Sequence, residues 1–244
     1  MDILNLMGLF KELSYGKRGR NFEGIIGHDH IKQIFEKAIV AKRPVHILLE
    51  GSPGSDKTMF LTKTMQHEKL SYFIVGSNTT KAGLVNQLFE RRPKFLLVDE
   101  LEKMSNKDQT VLLHLMETGI ISETKIKKTR QMELTSRVFA TANSSEKIIK
   151  PLLSRFVLLS IPEYTFEEFS DIAVTVLTHE NVDAAMAKVI AKKVWHELGS
   201  KDVRDVIKIG RLSGSIHEVQ YVVNILSNQQ KMVASSVGEM LARK

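Results

Sequence analysis

Residues 51–58 read Gly-Ser-Pro-Gly-Ser-Asp-Lys-Thr and follow, after Glu50, the run Val45-His46-Ile47-Leu48-Leu49. One strand–helix unit later, an apolar run, Phe95-Leu-Leu-Val, ends in Asp99-Glu100. A glycine-containing loop closed by Lys-Thr can turn backbone N–H groups around phosphates at the positive end of a helix. Gly51 and Gly54 supply the bends, Lys57 the charge for the β- and γ-phosphates, and Thr58 a hydroxyl for Mg²⁺. A strand-terminal Asp99 can share that Mg²⁺, and Glu100 beside it can orient and deprotonate an attacking water. The two segments together predict a site for ATP or ADP with Mg²⁺. Its binding residues are Gly51, Pro53, Gly54, Ser55, Asp56, Lys57, Thr58, Met59 and Asp99, with Thr58 and Asp99 on the metal.

Asp56 departs from the pattern, which has glycine at that position. A carboxylate about 5 Å from phosphate oxygens costs ~3 kcal/mol per charge pair at an effective dielectric near 20, and about 1 kcal/mol if it faces water. A residue in the first helical turn can face outward, and the dipole favours an acid there. The sequence is compatible with a tolerated variant and with a crippled site.

Three further polar side chains stand at or near the ends of expected elements. Asn143 ends the apolar run Val138-Phe-Ala-Thr-Ala, and its amide can hold a water beside Glu100; taken alone, it reads as a turn residue. Arg155 follows Leu152-Leu153-Ser154, and Arg204 follows Ser200, the expected cap of a late helix. Both arginines also read as solvated surface residues.

The elements that position these groups follow from hydrophobic periodicity. Ile31, Ile34, Phe35, Ala38 and Ile39 recur with a helical period, and Pro44 stops that helix. Strands are expected at 45–49, 72–75, 95–98, 138–143 and 156–161, with helices from Thr58, around 82–90, and from Ser105 to Gly119. Such alternation implies a parallel sheet covered by helices on both faces. Ile120-Ile-Ser122 and Met132-Glu-Leu134 flank a charged tip and read as a hairpin. After Pro162 only helical periods occur, around 166–178, 183–198 and 202–213, then a helical tail. The expected division is an N-terminal segment 1–21, an α/β domain 22–163 and a helical domain 164–244.

Composition narrows the classes. With no cysteine among 244 residues, disulfides and cysteine-ligated metals are excluded, and the scattered histidines lack metal-ligand spacing. No apolar run approaches the ~20 residues of a membrane span. Residues 1–10 contain Asp2 and lack a basic start or a small-residue cleavage site, so no signal peptide is read. A cytoplasmic protein with no membrane partner is expected. The net charge of +7 suits a polyanion partner and equally a solvated basic surface.

These motifs, in this order over residues 22–213, resemble those of AAA+ ATPases. The resemblance implies an α/β P-loop NTPase fold: a five-stranded parallel sheet in the order 5-1-4-3-2, with a small all-helical lid. It implies that Asp99 and Glu100 form Walker B, that Asn143 is sensor 1 and Arg204 sensor 2, and that Arg155 is an arginine finger. That finger would act on a neighbouring subunit's nucleotide, so a homo-oligomeric ring, commonly a hexamer, is implied. Phe22-Glu-Gly-Ile25-Ile26-Gly-His28 looks like the family's N-terminal box, whose Ile25 and Ile26 would flank adenine.

The hairpin before Asn143 is similar to that of RuvB-type helicases, MCM helicases and MoxR-like proteins, and its wording looks closest to compact archaeal RuvB-like ATPases. In relatives such a hairpin touches DNA or a partner protein. Lys125, Lys127, Lys128 and Arg130 would make that contact here, although a solvated tip accounts for them as well. The tail after residue 213 is too short for the winged-helix domain of RuvB. The leading expectation is an ATP-hydrolysing, RuvB-like motor acting on DNA or a DNA-bound partner. A MoxR-like protein remodeller and a degenerate nucleotide-binding scaffold are the alternatives.

Overall fold

A computed structural model describes residue 22 and residues 24–125 and 128–242. They fall into two compact units that part between Pro162 and Glu163. Segment 1–21 and the hairpin-tip residue Lys127 lie outside the described residues.

The α/β unit begins with helix α1 (Asp29–Val40), then β1 (Ile47–Glu50), α2 (Lys57–His67), β2 (Ser71–Val75), α3 (Lys81–Arg91) and β3 (Phe95–Asp99). It continues with α4 (Asn106–Thr118), the hairpin β4 (Ile120–Lys125) and β5 (Lys128–Glu133), β6 (Arg137–Ala142), α5 (Lys150–Leu153) and β7 (Val157–Ser160). Five strands form one parallel sheet in the order β2-β3-β6-β1-β7. Numbered within the sheet, this is the 5-1-4-3-2 order that the resemblance to AAA+ ATPases implies.

Period-2 alternation sorts the strand residues onto two faces. Leu48, Leu96, Val98, Val138 and Ala140 pack with Leu84 and Leu88 of α3 and Val111, Leu112 and Leu115 of α4. Ile47, Leu49, Phe95, Leu97 and Phe139 pack on the other face with Ile31 and Phe35 of α1 and Phe60 and Leu61 of α2. Phe35 anchors that second layer, with ring centroids 5.1 Å from both Phe60 and Phe139. Because both faces of β1, β3 and β6 are covered, these three strands read as apolar runs.

At the other end of the sheet, His46 precedes β1 and is buried, its Nδ1 accepting the N–H of Val138 at 3.0 Å. Burial first, and then the Arg137 guanidinium, push its pKa down to about 4, so the ring stays neutral as an acceptor.

Ser105 caps α4 by accepting the Asp108 N–H, and Gly119 closes it at φ 69°. The hairpin follows at once and pairs from Ile120↔Glu133 to Lys125↔Lys128. Ile121 and Leu134 bury its base against the α4 face of the sheet.

The helical unit comprises α6 (Phe166–His179), α7 (Ala184–His196), α8 (Val203–Leu212) and α9 (Ile216–Ala242). Thr165 and Glu168 form a reciprocal capping box on α6. A Cβ on Gly210 would lie 2.5 Å from Leu177 Cδ2, so glycine lets α8 approach α6. The cap of α8 is Asp202, whose carboxylate accepts the Arg204 N–H, and not Ser200. The Ser200 hydroxyl serves the same turn differently, donating to Asp205 at 2.6 Å. No helix among the described residues is long and apolar enough to cross a membrane.

Candidate functional site

Parallel pairing brings the C-terminal ends of β1, β3 and β6 to one edge, with Glu50 opposite Ala142 and Val98 opposite Ala140. The loop after β1 curls back on itself there. Lys57 Nζ donates to the carbonyls of Gly51 and Ser52 at 2.7 and 2.6 Å, and lies 3.2 Å from Ser55 Oγ. Ser55 Oγ in turn donates to the Ser52 carbonyl at 2.7 Å. A Cβ on Gly51 would lie 2.8 Å from the Ile161 carbonyl and 3.0 Å from Ser55 Oγ, so a larger residue would displace the loop. Pro53 is exposed and Met59 half-buried.

Two residues of the loop have positive φ, Gly54 at 84° and Asp56 at 54°. The second value gives the physical reason for glycine in the usual pattern, since a left-handed backbone is strained by a Cβ. Aspartate is among the side chains that visit this region most readily. Asp56 is half-buried immediately before α2, where the helix dipole favours its charge.

Across the edge, Thr58 Oγ1 lies 3.1 and 3.0 Å from the two carboxylate oxygens of Asp99. Thr141 of β6 donates its own hydroxyl to Asp99 Oδ1 and accepts the Glu100 N–H at 3.2 Å. Glu100 turns out of the strand at φ 56°, and its carboxylate pairs with Lys103 at 3.2 Å.

Among the described residues, no three His, Asp or Glu side chains converge as a metal cluster. One hydroxyl and one carboxylate in contact, all oxygen, nevertheless suit Mg²⁺, which is bound by one or two protein groups and completed by phosphates and water. The donor set fits a phosphate-bound Mg²⁺.

The remaining sequence-expected residues are distributed unevenly. Asn143 Nδ2 donates to Glu102 Oε1 at 2.8 Å, so its amide is engaged by Glu102. Arg155 is exposed after α5 and ion-pairs with Glu117 of α4. Arg204 belongs to the helical unit and pairs with Asp202. Ile25 is buried in the aromatic layer with Phe22, Phe35 and Phe60, whereas Ile26 is half-buried.

Arg130 is engaged within the α/β unit. Its Nε pairs with Glu123 at 2.8 Å, its Nη2 donates to Asn86 at 2.7 Å, and its guanidinium lies 4.2 Å from the Phe89 ring centroid. These bonds pin the hairpin to α3. Lys125 and Lys128 are register partners nearer the tip.

Sequence reasoning missed Thr141, Glu102 and Gln109. The last is buried on α4, where it donates to the carbonyls of Met104 and Lys147 and accepts the Ile149 N–H. One sequence signal existed for Thr141, a hydroxyl interrupting an apolar strand two residues before Asn143.

Residues 47–161 match the family described as "ATPase family associated with various cellular activities (AAA)". The DNA replication licensing factor Mcm2 of Drosophila melanogaster is 25% identical over 189 residues, which cover 60% of this chain and 21% of that protein. Its Xenopus laevis counterpart is 24% identical over 246 residues, covering 83% and 26%. The chain therefore spans about a fifth to a quarter of the length of these relatives. In structure it is similar to the RuvB Holliday junction branch migration motor of Thermotoga maritima, with a TM-score of 0.65 and 19% identity. That superposition covers 83% of this chain and 70% of the other, and it shows a RuvB-like P-loop NTPase fold.

Proposed function

We propose that the chain, whose residues 47–161 match the AAA ATPase family, binds and hydrolyses ATP with Mg²⁺ as the motor of a DNA-directed assembly. The observation that carries this reading is the contact of Thr58 with Asp99 at the end of a lysine-bearing loop, with Glu100 adjacent.

Lys57 supplies positive charge to the β- and γ-phosphates, exchanging its loop-carbonyl partners for phosphate oxygens. Thr58 and Asp99 hold Mg²⁺, which when bound neutralises phosphate charge. Glu100 orients the attacking water and accepts its proton, and Asn143 lies on the adjacent strand end to position that water. Arg155, exposed beside Glu117, reaches the nucleotide of a neighbouring copy in a homo-oligomeric ring.

DNA is the favoured partner because Mcm2 and RuvB, by their names, serve DNA replication licensing and Holliday junction branch migration. The cationic residues Lys125, Lys127 and Lys128 at the hairpin tip support it, since phosphate contacts need clustered lysine or arginine. Binding through them is expected to be independent of sequence and to weaken steeply with salt.

The test is steady-state ATP hydrolysis with and without DNA, for the parent and for Glu100→Gln. Turnover that rises with DNA and disappears in Glu100→Gln supports the full reading. Turnover indifferent to DNA favours protein remodelling. A second reading, a degenerate scaffold that binds nucleotide weakly or not at all, rests on Asp56 alone and requires that the parent show no turnover and that Asp56→Gly bind nucleotide more tightly.

A further inference from the structure

We propose that Thr141 and Gly76 are positioning residues that hold the Asp99–Glu100 corner from the two strands flanking β3. The proposal rests on the reading of Asp99 as a Mg²⁺ ligand and Glu100 as the base, and it explains how both are kept in place.

The corner needs holding because Glu100 leaves the strand with a left-handed backbone, φ 56°, which a side chain disfavours. On the β6 side, Thr141 is 1% exposed, and its hydroxyl uses both of its capacities on the corner. It donates to Asp99 Oδ1 and accepts the Glu100 N–H at 3.2 Å. The Asp99 carboxylate is thereby held between two hydroxyls, that of Thr141 and that of Thr58 from α2.

On the β2 side, Gly76 follows the strand directly. A Cβ there would lie 2.2 Å from the Glu100 carbonyl oxygen, 3.0 Å from its carbon and 3.1 Å from Met104 Cγ. The first two contacts are with backbone, so no side-chain rotation relieves them. Gly76 is not among the glycines with positive φ, so the requirement is steric rather than conformational. Glu100's carbonyl occupies the space that any other residue at 76 would fill.

The two contacts have separable consequences. Removing the Thr141 hydroxyl frees the Asp99 carboxylate and leaves the Glu100 N–H without its acceptor. A side chain at 76 displaces the Glu100 peptide while leaving both hydroxyls on Asp99.

The experiment compares the parent with Thr141→Val, Thr141→Ser and Gly76→Ala. It reads equilibrium binding of a fluorescent ATP analogue across a Mg²⁺ titration, steady-state ATP hydrolysis and thermal unfolding. Thr141→Val is expected to need about tenfold more Mg²⁺ for tight binding and to lose about tenfold in kcat, with KM changed little. Thr141→Ser, which keeps the hydroxyl, restores both. Gly76→Ala is expected to lose about tenfold in kcat while its Mg²⁺ dependence stays parental.

Parental Mg²⁺ dependence and kcat in Thr141→Val, or a Thr141→Ser as defective as the valine variant, would overturn the proposal while leaving the ATPase reading intact. A parent that binds no nucleotide at any Mg²⁺ concentration would overturn both. Parental kcat in Gly76→Ala would remove Gly76 from the proposal, and the Thr141 pair decides the part played by Thr141.

Discussion

In the loop after β1, the partners of Lys57 are mainly main-chain carbonyls, those of Gly51 and Ser52. At the end of β3, the partners of Asp99 are side-chain hydroxyls, those of Thr58 and Thr141. The loop is therefore a backbone device, sensitive wherever a Cβ strains its path, and Asp56 at φ 54° is such a position. The carboxylate edge is a side-chain device, sensitive to loss of single oxygen atoms and indifferent to local φ except at Glu100. One chain can thus depart from the usual pattern in one half of a site and keep the other half complete.

That contrast can be broken by substitution. The largest effect belongs to Glu100→Gln, which keeps the shape of the edge and removes its base. Turnover should fall by about 100-fold or more while nucleotide binding persists, as followed by hydrolysis and equilibrium binding in parallel. Lys57→Ala removes the one cation in the loop and should weaken nucleotide binding about 10- to 100-fold, measured by calorimetry.

Asp56→Gly acts in the opposite direction. It relieves a strained backbone and removes a negative charge near the phosphates, so nucleotide affinity should rise about 5- to 100-fold. No gain in affinity would mean that the aspartate's charge does not reach the phosphates.

A smaller effect concerns the far end of β1. The folded-state pKa of His46, about 4, lies below its ordinary value of 6.5, so the unfolded chain binds the proton first as pH falls. The stability that depends on neutral His46 is present above pH 6.5 and is lost as pH falls towards 4. At pH 5 the loss is about 2 kcal/mol, and His46→Gln, which keeps an acceptor for Val138, should show less of it in denaturant titrations.

The smallest effect is expected at the hairpin. Arg130→Ala should cost about 1 kcal/mol by freeing it from α3, whereas changes at the lysines nearer the tip should leave stability unaltered and lower DNA affinity.

Much of this was legible before any coordinates. β1 and β3 are apolar on both faces and run straight into chemically distinctive residues, so fold and loop could be read together. The residues that complete the edge were hidden because they are defined by register between strands. Thr141 matters because β6 lies beside β3, and Gly76 because β2 flanks it on the other side. Neither relation exists along the chain. Arg130 reads as a free cation in sequence because its partners Asn86 and Phe89 lie on α3, far upstream. The cap of α8 is Asp202 and not the expected Ser200 because both can cap a helix, and local composition does not choose between them.

The most direct test of the account is Mg²⁺-dependent ATP hydrolysis by the parent chain, set beside Glu100→Gln and Asp56→Gly. The account predicts turnover in the parent, its loss in Glu100→Gln, and tighter nucleotide binding in Asp56→Gly. Absence of nucleotide binding and turnover in both the parent and Asp56→Gly would contradict it.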